Sequence, residues 1–248
     1  MAIYIESNKS LFVALIAVFA AMVAVLDVIP MIPGFYGGIW DSWVFLLSPI
    51  IGALLGPYVG AVAVGIGSLT GHFVYFRDPF ELVFQFGAPL GAAMGGFVYQ
   101  RRWKPALGIY SFMLLGYFLE PVSWTLPLWG IWDTLAGYVV LLVFVLLINK
   151  NWWPESETNR DILGLLFTII IGLESDILFR IFVLIPGQTY WLFYGFTPEV
   201  LQVLWLGAGI ITPIKVVLAT IAGLLIGLPL LRILKNQFGQ VENMTLNE

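Results

Sequence analysis

Residues 162–185 read ILGLLFTIIIGLESDILFRIFVLI. A predominantly apolar stretch of this length exceeds the roughly 20 residues that a helix needs to cross a bilayer. It is too continuous for the alternating pattern of a membrane β-strand. At about 1.5 Å per residue from Ile162, Glu174 falls about 18 Å along the helix and Arg180 about 27 Å, so a carboxylate is expected near the middle of a membrane. An ionisable group at that depth faces a cavity or another charge in most membrane proteins. Asp176 and Arg180 are four residues apart, the spacing of a pair on one helix face, and an ion pair is the plainer reading of those two.

The rest of the chain agrees with that stretch. Of its 248 residues, 60% are hydrophobic and only 10% are charged, whereas soluble domains carry about 25% charged residues. Further apolar runs at Leu11–Ile29, Trp43–Leu55, Tyr58–Tyr75, Leu82–Tyr99, Pro105–Leu119, Ile131–Ile148 and Leu206–Leu234 bring the expected number of crossings to about eight. The chain is therefore read as one all-α, polytopic membrane bundle (11–234) between a short N-terminal segment (1–10) and a tail (235–248). The second run is short, and Gly56-Pro57 joins it to the third as a tight hairpin. The aromatic segment Gly187–Trp205, punctuated by Gly195 and Pro198, reads as an interfacial loop or half-helix. Leu11–Ile29 is too long for a signal-peptide core, follows Glu6 and Lys9 rather than a basic cluster, and lacks a small-x-small cleavage site before Pro30. It is expected to be a retained helix.

With eight crossings, Lys9, Arg101, Arg102, Lys104, Lys150, Arg160, Arg232 and Lys235 all fall on one side. Basic residues flanking membrane helices are retained in the cytoplasm, so that side, with both termini, is expected to be cytoplasmic in a multi-pass protein of the cell membrane. The glycosylation-like triplets beginning at Asn8 and Asn243 are then chance matches. The opposite side, with its edge, gathers Asp27, Asp41, Asp78, Glu81, Glu120, Asp133, Glu174, Asp176 and Glu199 against Arg77, Arg180 and Lys215, together with Trp40, Trp43, Trp124, Trp129, Trp132, Trp191 and Trp205. An aromatic belt with solvated acids accounts for part of that enrichment.

Several chemistries are excluded. The chain has no cysteine and a single histidine, His72, so disulfides, thiol nucleophiles and Cys- or His-rich metal sites are not expected. Gly65, Gly67 and Gly71 lack dinucleotide spacing, and no P-loop, zinc-helix or nucleophile-elbow pattern occurs. No catalytic residue, cofactor, metal or nucleic-acid partner is expected, and ATP-driven transport would need a partner. The candidate binding residues are instead polar and aromatic groups toward the outer ends of the helices. Glu120, Trp124, Trp132 and Asp133 bracket one outer loop, where indoles and carboxylates can hold a flat or cationic molecule. Trp40 and Asp41 lie in the first outer loop. His72 and Gln85 sit one turn inside helix ends, where capping and packing roles compete with ligand binding, and Glu174 lies deeper. Lys215, after Pro213, is placed to neutralise Glu174 or Asp176. Small-residue rows at Ala14, Ala17, Ala21 and Ala24, with Ala20 beside them, at Gly52, Gly56 and Gly60, at Gly87, Gly91 and Gly95, and at Gly223 and Gly227 are expected helix-packing seams.

The stretch from Leu11 to Tyr99 resembles the substrate-binding S components of energy-coupling factor importers. The matching features are Ala17, Ala20, Ala21 and Ala24 on the first helix, Ile29-Pro30-Met31-Ile32-Pro33-Gly34 at the entrance to a lid-like loop, and the hairpin Leu55-Gly56-Pro57-Tyr58-Val59-Gly60. Pro213-Ile214-Lys215 with Gly223 and Gly227 looks like the family's closing helix. The resemblance implies capture of a vitamin-like micronutrient near the outer face, with the loop from Pro30 to Trp40 as the gate. It also implies docking through Ala17, Ala20, Ala21 and Ala24 onto a transmembrane coupling protein driven by two cytoplasmic ATPases. The family usually has six helices, and the region from Pro105 to Pro186 is where this chain departs from it. A neutral or cationic ligand is expected, since acids outnumber bases on the outer side. Two other classes remain. One is a self-sufficient ion-coupled carrier using Glu174, Asp176, Arg180 and Lys215. The other is a membrane-embedded lipid-modifying enzyme using Glu174 or Glu120 as acid or base.

Overall fold

At Gly56-Pro57 the backbone has the least choice. Gly56 adopts φ 87° and ψ 167°, a region open essentially to glycine alone, and Pro57 supplies the preset φ that starts a helix. The computed structural model describes residues 9–29, 42–76 and 78–234, and it places a sharp reversal at this dipeptide. The first outer loop, with Pro30, Trp40 and Asp41, lies outside the described residues.

Among the described residues the regular structure is helical. Helix α1 spans Lys9–Val28. A 3-10 turn, Trp43–Leu46, leads into the short α2, Ser48–Leu55, which is buried along its whole length. Helix α3 covers Pro57–Val74. A 3-10 segment, Pro79–Phe86, opens with Asp78 accepting the Phe80 amide at 2.9 Å and runs into α4, Gly87–Tyr99. Helix α5 is Trp103–Leu119, α6 is Trp132–Asn149 and α7 is Glu157–Leu184. After the single turn α8, Thr189–Leu192, helix α9 spans Pro198–Ala222 and continues through a π turn at Gly223–Gly227 to Leu234.

Among the described residues, five segments are long and apolar enough to cross a membrane: Pro57–Val74, Pro79–Tyr99, Leu128–Asn149, Glu157–Leu184 and Pro198–Leu234. Two of the expected boundaries change. The second expected crossing is not one helix but a 3-10 turn followed by eight residues of α2, because Pro49 restarts the helix at its first turn. The segment Gly187–Trp205, expected to be an interfacial loop or half-helix, is helical from Pro198 onward, as the first turns of α9. Pro198 is at a helix start, where its missing N–H costs nothing, and it opens α9 instead of breaking it.

Glycine seams set the packing. Helices α4 and α7 run antiparallel and nearly touch: a Cβ at Gly91 would lie 2.7 Å from the Gly172 carbonyl oxygen, and one at Gly95 would lie 3.1 Å from Thr168. Helices α1 and α3 run parallel, with Gly67 against Val23 and Gly71 against Asp27, both at 2.6 Å from an added Cβ. At such separations backbones pack directly and dispersion contacts hold the bundle. Helix α7 is central and α9 peripheral, with 72% and 28% of their apolar stretches buried. The uncovered face of α9 carries Val203, Ile210, Val217 and Leu225, which suits lipid and not water.

Because successive helices reverse, Arg101, Arg102 and Lys104 at the α4–α5 corner, Lys150 after α6, Arg160 in the first turn of α7 and Arg232 near the end of α9 share one end of the bundle. The other end carries Asp78, Glu81, Glu120 and Glu199. That acidic end also holds the cavity described next.

Candidate functional site

The cavity forms where α9 stands away from α7. Ile177, Ile181 and Leu184 recur at helical spacing on α7 and make one wall, while Leu204, Ala208, Ile211, Thr212 and Lys215 make the facing wall on α9. Gly207 contributes no side chain, which widens the space between them. Phe84 and Glu81 come from the 3-10 segment before α4, and Tyr194 and Phe196 close the acidic end. The cavity is open on one side and has a volume of about 470 Å³, within the range of about 300–1,000 Å³ that holds small organic ligands.

Aromatic packing holds the closing segment in place. Phe80 stacks on Phe193 at 4.6 Å, and Tyr194 stacks on Phe196 at 5.2 Å. Burial pushes the Tyr194 phenol up to about 12, with the Glu81 and Asp78 charges adding to the effect, so it stays neutral at physiological pH. Trp205 is buried against Gly130, and its indole N–H donates to the Tyr117 hydroxyl at 3.2 Å. That bond fixes the ring as a rigid part of the cavity wall.

A smaller polar recess of about 30 Å³ adjoins the large cavity through Ile177, Thr212 and Lys215. Asp176 and Arg180 line it as a fork-to-fork pair, Nε to Oδ1 at 2.6 Å and the second guanidinium nitrogen to Oδ2 at 3.1 Å. The i,i+4 spacing read from the sequence thus forms an ion pair, buried beside the cavity. The Lys215 ammonium lies 5.8 Å from the ring of Phe45, within cation-π range.

Proline 213 shapes the α9 wall. It has no N–H, so the Gly209 carbonyl one turn earlier loses its helical donor. The indole of Trp132 replaces it, donating to Gly209 O at 2.8 Å. Trp132 stacks on Trp129 at 5.9 Å, and Trp129 packs against Gly209 so closely that an added Cβ would lie 2.5 Å from its carbonyl oxygen. The start of α6 is thereby clamped to the middle of α9.

The candidate residues named from the sequence fall into three groups. Trp40 and Asp41 lie outside the described residues. Trp124 is 72% exposed and bonds the Phe118 carbonyl, Trp132 is the clamp just described, and Glu120 is half-buried at the turn before Pro121. These three do not line the cavity. The buried remainder falls in two places. His72 and Gln85 meet at 3.5 Å between α3 and the segment before α4. Glu174 lies over Gly137 of α6, one turn beyond Asp133, and Asp133 reaches the cavity wall through its hydrogen bond with Thr212. Among the described residues no group of three or more His, Asp or Glu side chains gathers as a metal site.

On α1, Ala17 and Ala21 are exposed and Ala24 is half-buried, whereas Ala20 points inward, its backbone against Gly67 of α3. The outward alanine face is therefore narrower than the four-residue group in the sequence. Helical phase puts Ala20 about 100° from Ala21, which turns it onto the buried side.

Residues missing from the sequence-based set are Phe84, Tyr194, Phe196, Trp205 and Thr212, with Glu81 and Lys215 recognised as polar but not as cavity walls. The available signals were the aromatic density of residues 190–196 and the Thr212-Pro213 step inside an apolar helix. No protein-family model, curated protein or solved structure matches the chain.

Proposed function

We propose that this protein captures a small organic micronutrient from outside the cell for import. The observation that carries this reading is the cavity of about 470 Å³, walled by aromatic and aliphatic side chains, at the end of the bundle opposite the basic residues. Basic flanks belong in the cytoplasm, so the cavity faces the side from which a nutrient arrives. Eight crossings with both termini inside are the topology proposed with it. Such a lining suits a flat, largely apolar body whose polar groups meet Glu81 on one side and Thr212 and Lys215 on the other.

The sequence resemblance to S components supports a partner-driven version of this function. In that version Ala17 and Ala21, with Ala24 beside them, contact a transmembrane coupling protein, and cytoplasmic ATPases supply the energy. The loop from Pro30 to Trp40 gates the cavity. Ligand then binds the isolated protein without ATP.

The test is a thermal-shift screen of vitamins and their precursors on the purified protein in lipid nanodiscs, paired with co-purification from the native membrane. Stabilisation by one compound and recovery of an ATPase pair are the expected results. An absence of stabilisation at saturating concentration across the screen refutes capture. Uptake by the lone protein in vesicles refutes the partner-driven version.

A further inference from the structure

Glu174 has no role in the cavity wall, yet it is the most conspicuous buried group in the bundle. It is 3% exposed, and its Oε2 has no hydrogen-bond partner among the described residues. Its side chain lies over Gly137 of α6, where an added Cβ would be 2.7 Å from Glu174 Cγ and 2.8 Å from the Tyr110 hydroxyl. Gly137 is one turn after Asp133 on the same face of α6, so two carboxyl groups share this interior region. Tyr110 of α5, whose hydroxyl lies over the same glycine as Glu174, is the titratable group facing this region from the third helix. The Tyr110 hydroxyl spends its proton on the Thr134 carbonyl at 2.7 Å, which leaves none for either carboxyl. Arg180, farther along α7, is committed to Asp176.

The hydrogen bonds around Asp133 count protons. Its Oδ1 accepts from the Thr134 amide at 2.9 Å. Its Oδ2 meets the Thr212 hydroxyl, and that same hydroxyl lies 2.8 Å from the Ala208 carbonyl, an acceptor. A threonine hydroxyl has one proton and cannot donate to both. A proton on Asp133 Oδ2, donated to Thr212, lets the Thr212 hydroxyl donate to the Ala208 carbonyl and satisfies all three groups. Two carboxylates confined together away from water favour sharing a proton in the same way.

We propose that Asp133 and Glu174 form a proton-binding site that holds at least one proton between them and meets the ligand cavity through Thr212. A ligand group that donates to Thr212 Oγ1 competes with Asp133 for that oxygen, and proton binding and cavity occupancy are thereby linked. Release conserves protons: Asp133 passes its proton to Thr212 Oγ1 as Thr212 yields its own to an acceptor in the cavity.

The test needs no ligand, and its outcome is separate from that of the capture reading. Infrared spectra of the protein in phosphatidylcholine nanodiscs at neutral pH, in H2O and D2O, report the carbonyl stretch of protonated carboxyl groups apart from carboxylate bands. The wild type is expected to show a protonated-carboxyl band that shifts in D2O. Glu174→Gln and Asp133→Asn should each reduce or shift it, and Thr212→Val should move its frequency without abolishing it. Glu174→Gln should also melt within a few degrees of wild type, because an amide has the shape of a protonated acid. A wild-type spectrum without the band, or a band unchanged in both carboxyl variants, overturns the proposal. So does a spectrum of ionised carboxylates with melting raised by sodium ions, which would make the site an alkali-cation site. Should one carboxyl variant fail to fold, the other and the wild-type spectrum still decide.

Discussion

Replacing Trp132 with phenylalanine isolates one hydrogen bond, because the ring that stacks on Trp129 at 5.9 Å is largely kept while the indole N–H is lost. That N–H donates to the Gly209 carbonyl at 2.8 Å, and Gly209 is buried inside α9. An unpaired buried carbonyl costs about 1–3 kcal/mol, so Trp132→Phe should destabilise the protein by about 2 kcal/mol. The cause is Pro213, which supplies no amide proton to residue 209. Pro213→Ala restores a main-chain donor at the i−4 carbonyl, and in that background Trp132→Phe should cost only about 0.5 kcal/mol. The resulting coupling energy is about 1.5 kcal/mol, well above the scatter of independent sites. Reversible unfolding of the four variants in mixed micelles, titrated with a denaturing detergent, measures the cycle. Equal losses in the two backgrounds would refute the argument that Trp132 stands in for the missing proline donor.

Four further outcomes test other parts of the structure. Gly207→Phe should fill the cavity without disturbing the bundle, since nothing lies within 4 Å of a Cβ there; ligand-induced stabilisation should vanish while the unliganded melting temperature is kept. Gly91→Leu should prevent close approach of α4 and α7, because the obstructing atom is the Gly172 backbone oxygen at 2.7 Å, whereas Gly108→Ala, with open space around it, should stabilise by about 0.5–1 kcal/mol through helix propensity; melting of both variants side by side checks this. Asp176→Asn removes one charge of this buried pair and should cost about 3–5 kcal/mol, while Asp176→Leu with Arg180→Met should recover most of that loss in the same unfolding assay. The Tyr194 phenol, held at about 12 against about 10 in the unfolded chain, keeps its contribution to stability below pH 10 and loses it as the pH rises toward 12; ultraviolet titration should show a late-ionising tyrosine in the wild type that Tyr194→Phe lacks.

The helical architecture was legible in the sequence because a bilayer imposes one strong condition, a long apolar run whose backbone bonds are internal. Glycine spacing carried more than the presence of seams. Gly87, Gly91 and Gly95 predict a row on α4, and the structure supplies their partners, Asp176, Gly172 and Thr168 on α7. Those partners are not periodic in kind, so the sequence has no marker for the pairing of the two helices. Proline was ambiguous for the same local reason: Pro49, Pro57 and Pro198 start helices, whereas Pro213 lies inside one. Only a donor from elsewhere, Trp132, makes the interior position tolerable, and a residue eighty positions away in sequence carries no local signature of that role.

The residues that line the cavity were harder to read, and the reason is physical. Attention to acids and indoles selects groups that water or headgroups can satisfy, and Trp124 and Glu120 occupy such positions. A cavity inside lipid is instead made by what is missing between helices. Gly207 on α9 leaves room that α7 does not fill, and Phe84, Tyr194 and Trp205 line that room as ordinary apolar side chains. The depth argument for Glu174 fared differently because it rested on burial and not on residue type. A carboxyl about 18 Å into a crossing must meet a partner or a proton. In the structure its side chain lies over Gly137, one turn from a second acid, Asp133, and its Oε2 has no hydrogen-bond partner among the described residues. An acid neighbour supplies no countercharge, which is the ground for proposing a bound proton where α5, α6 and α7 meet.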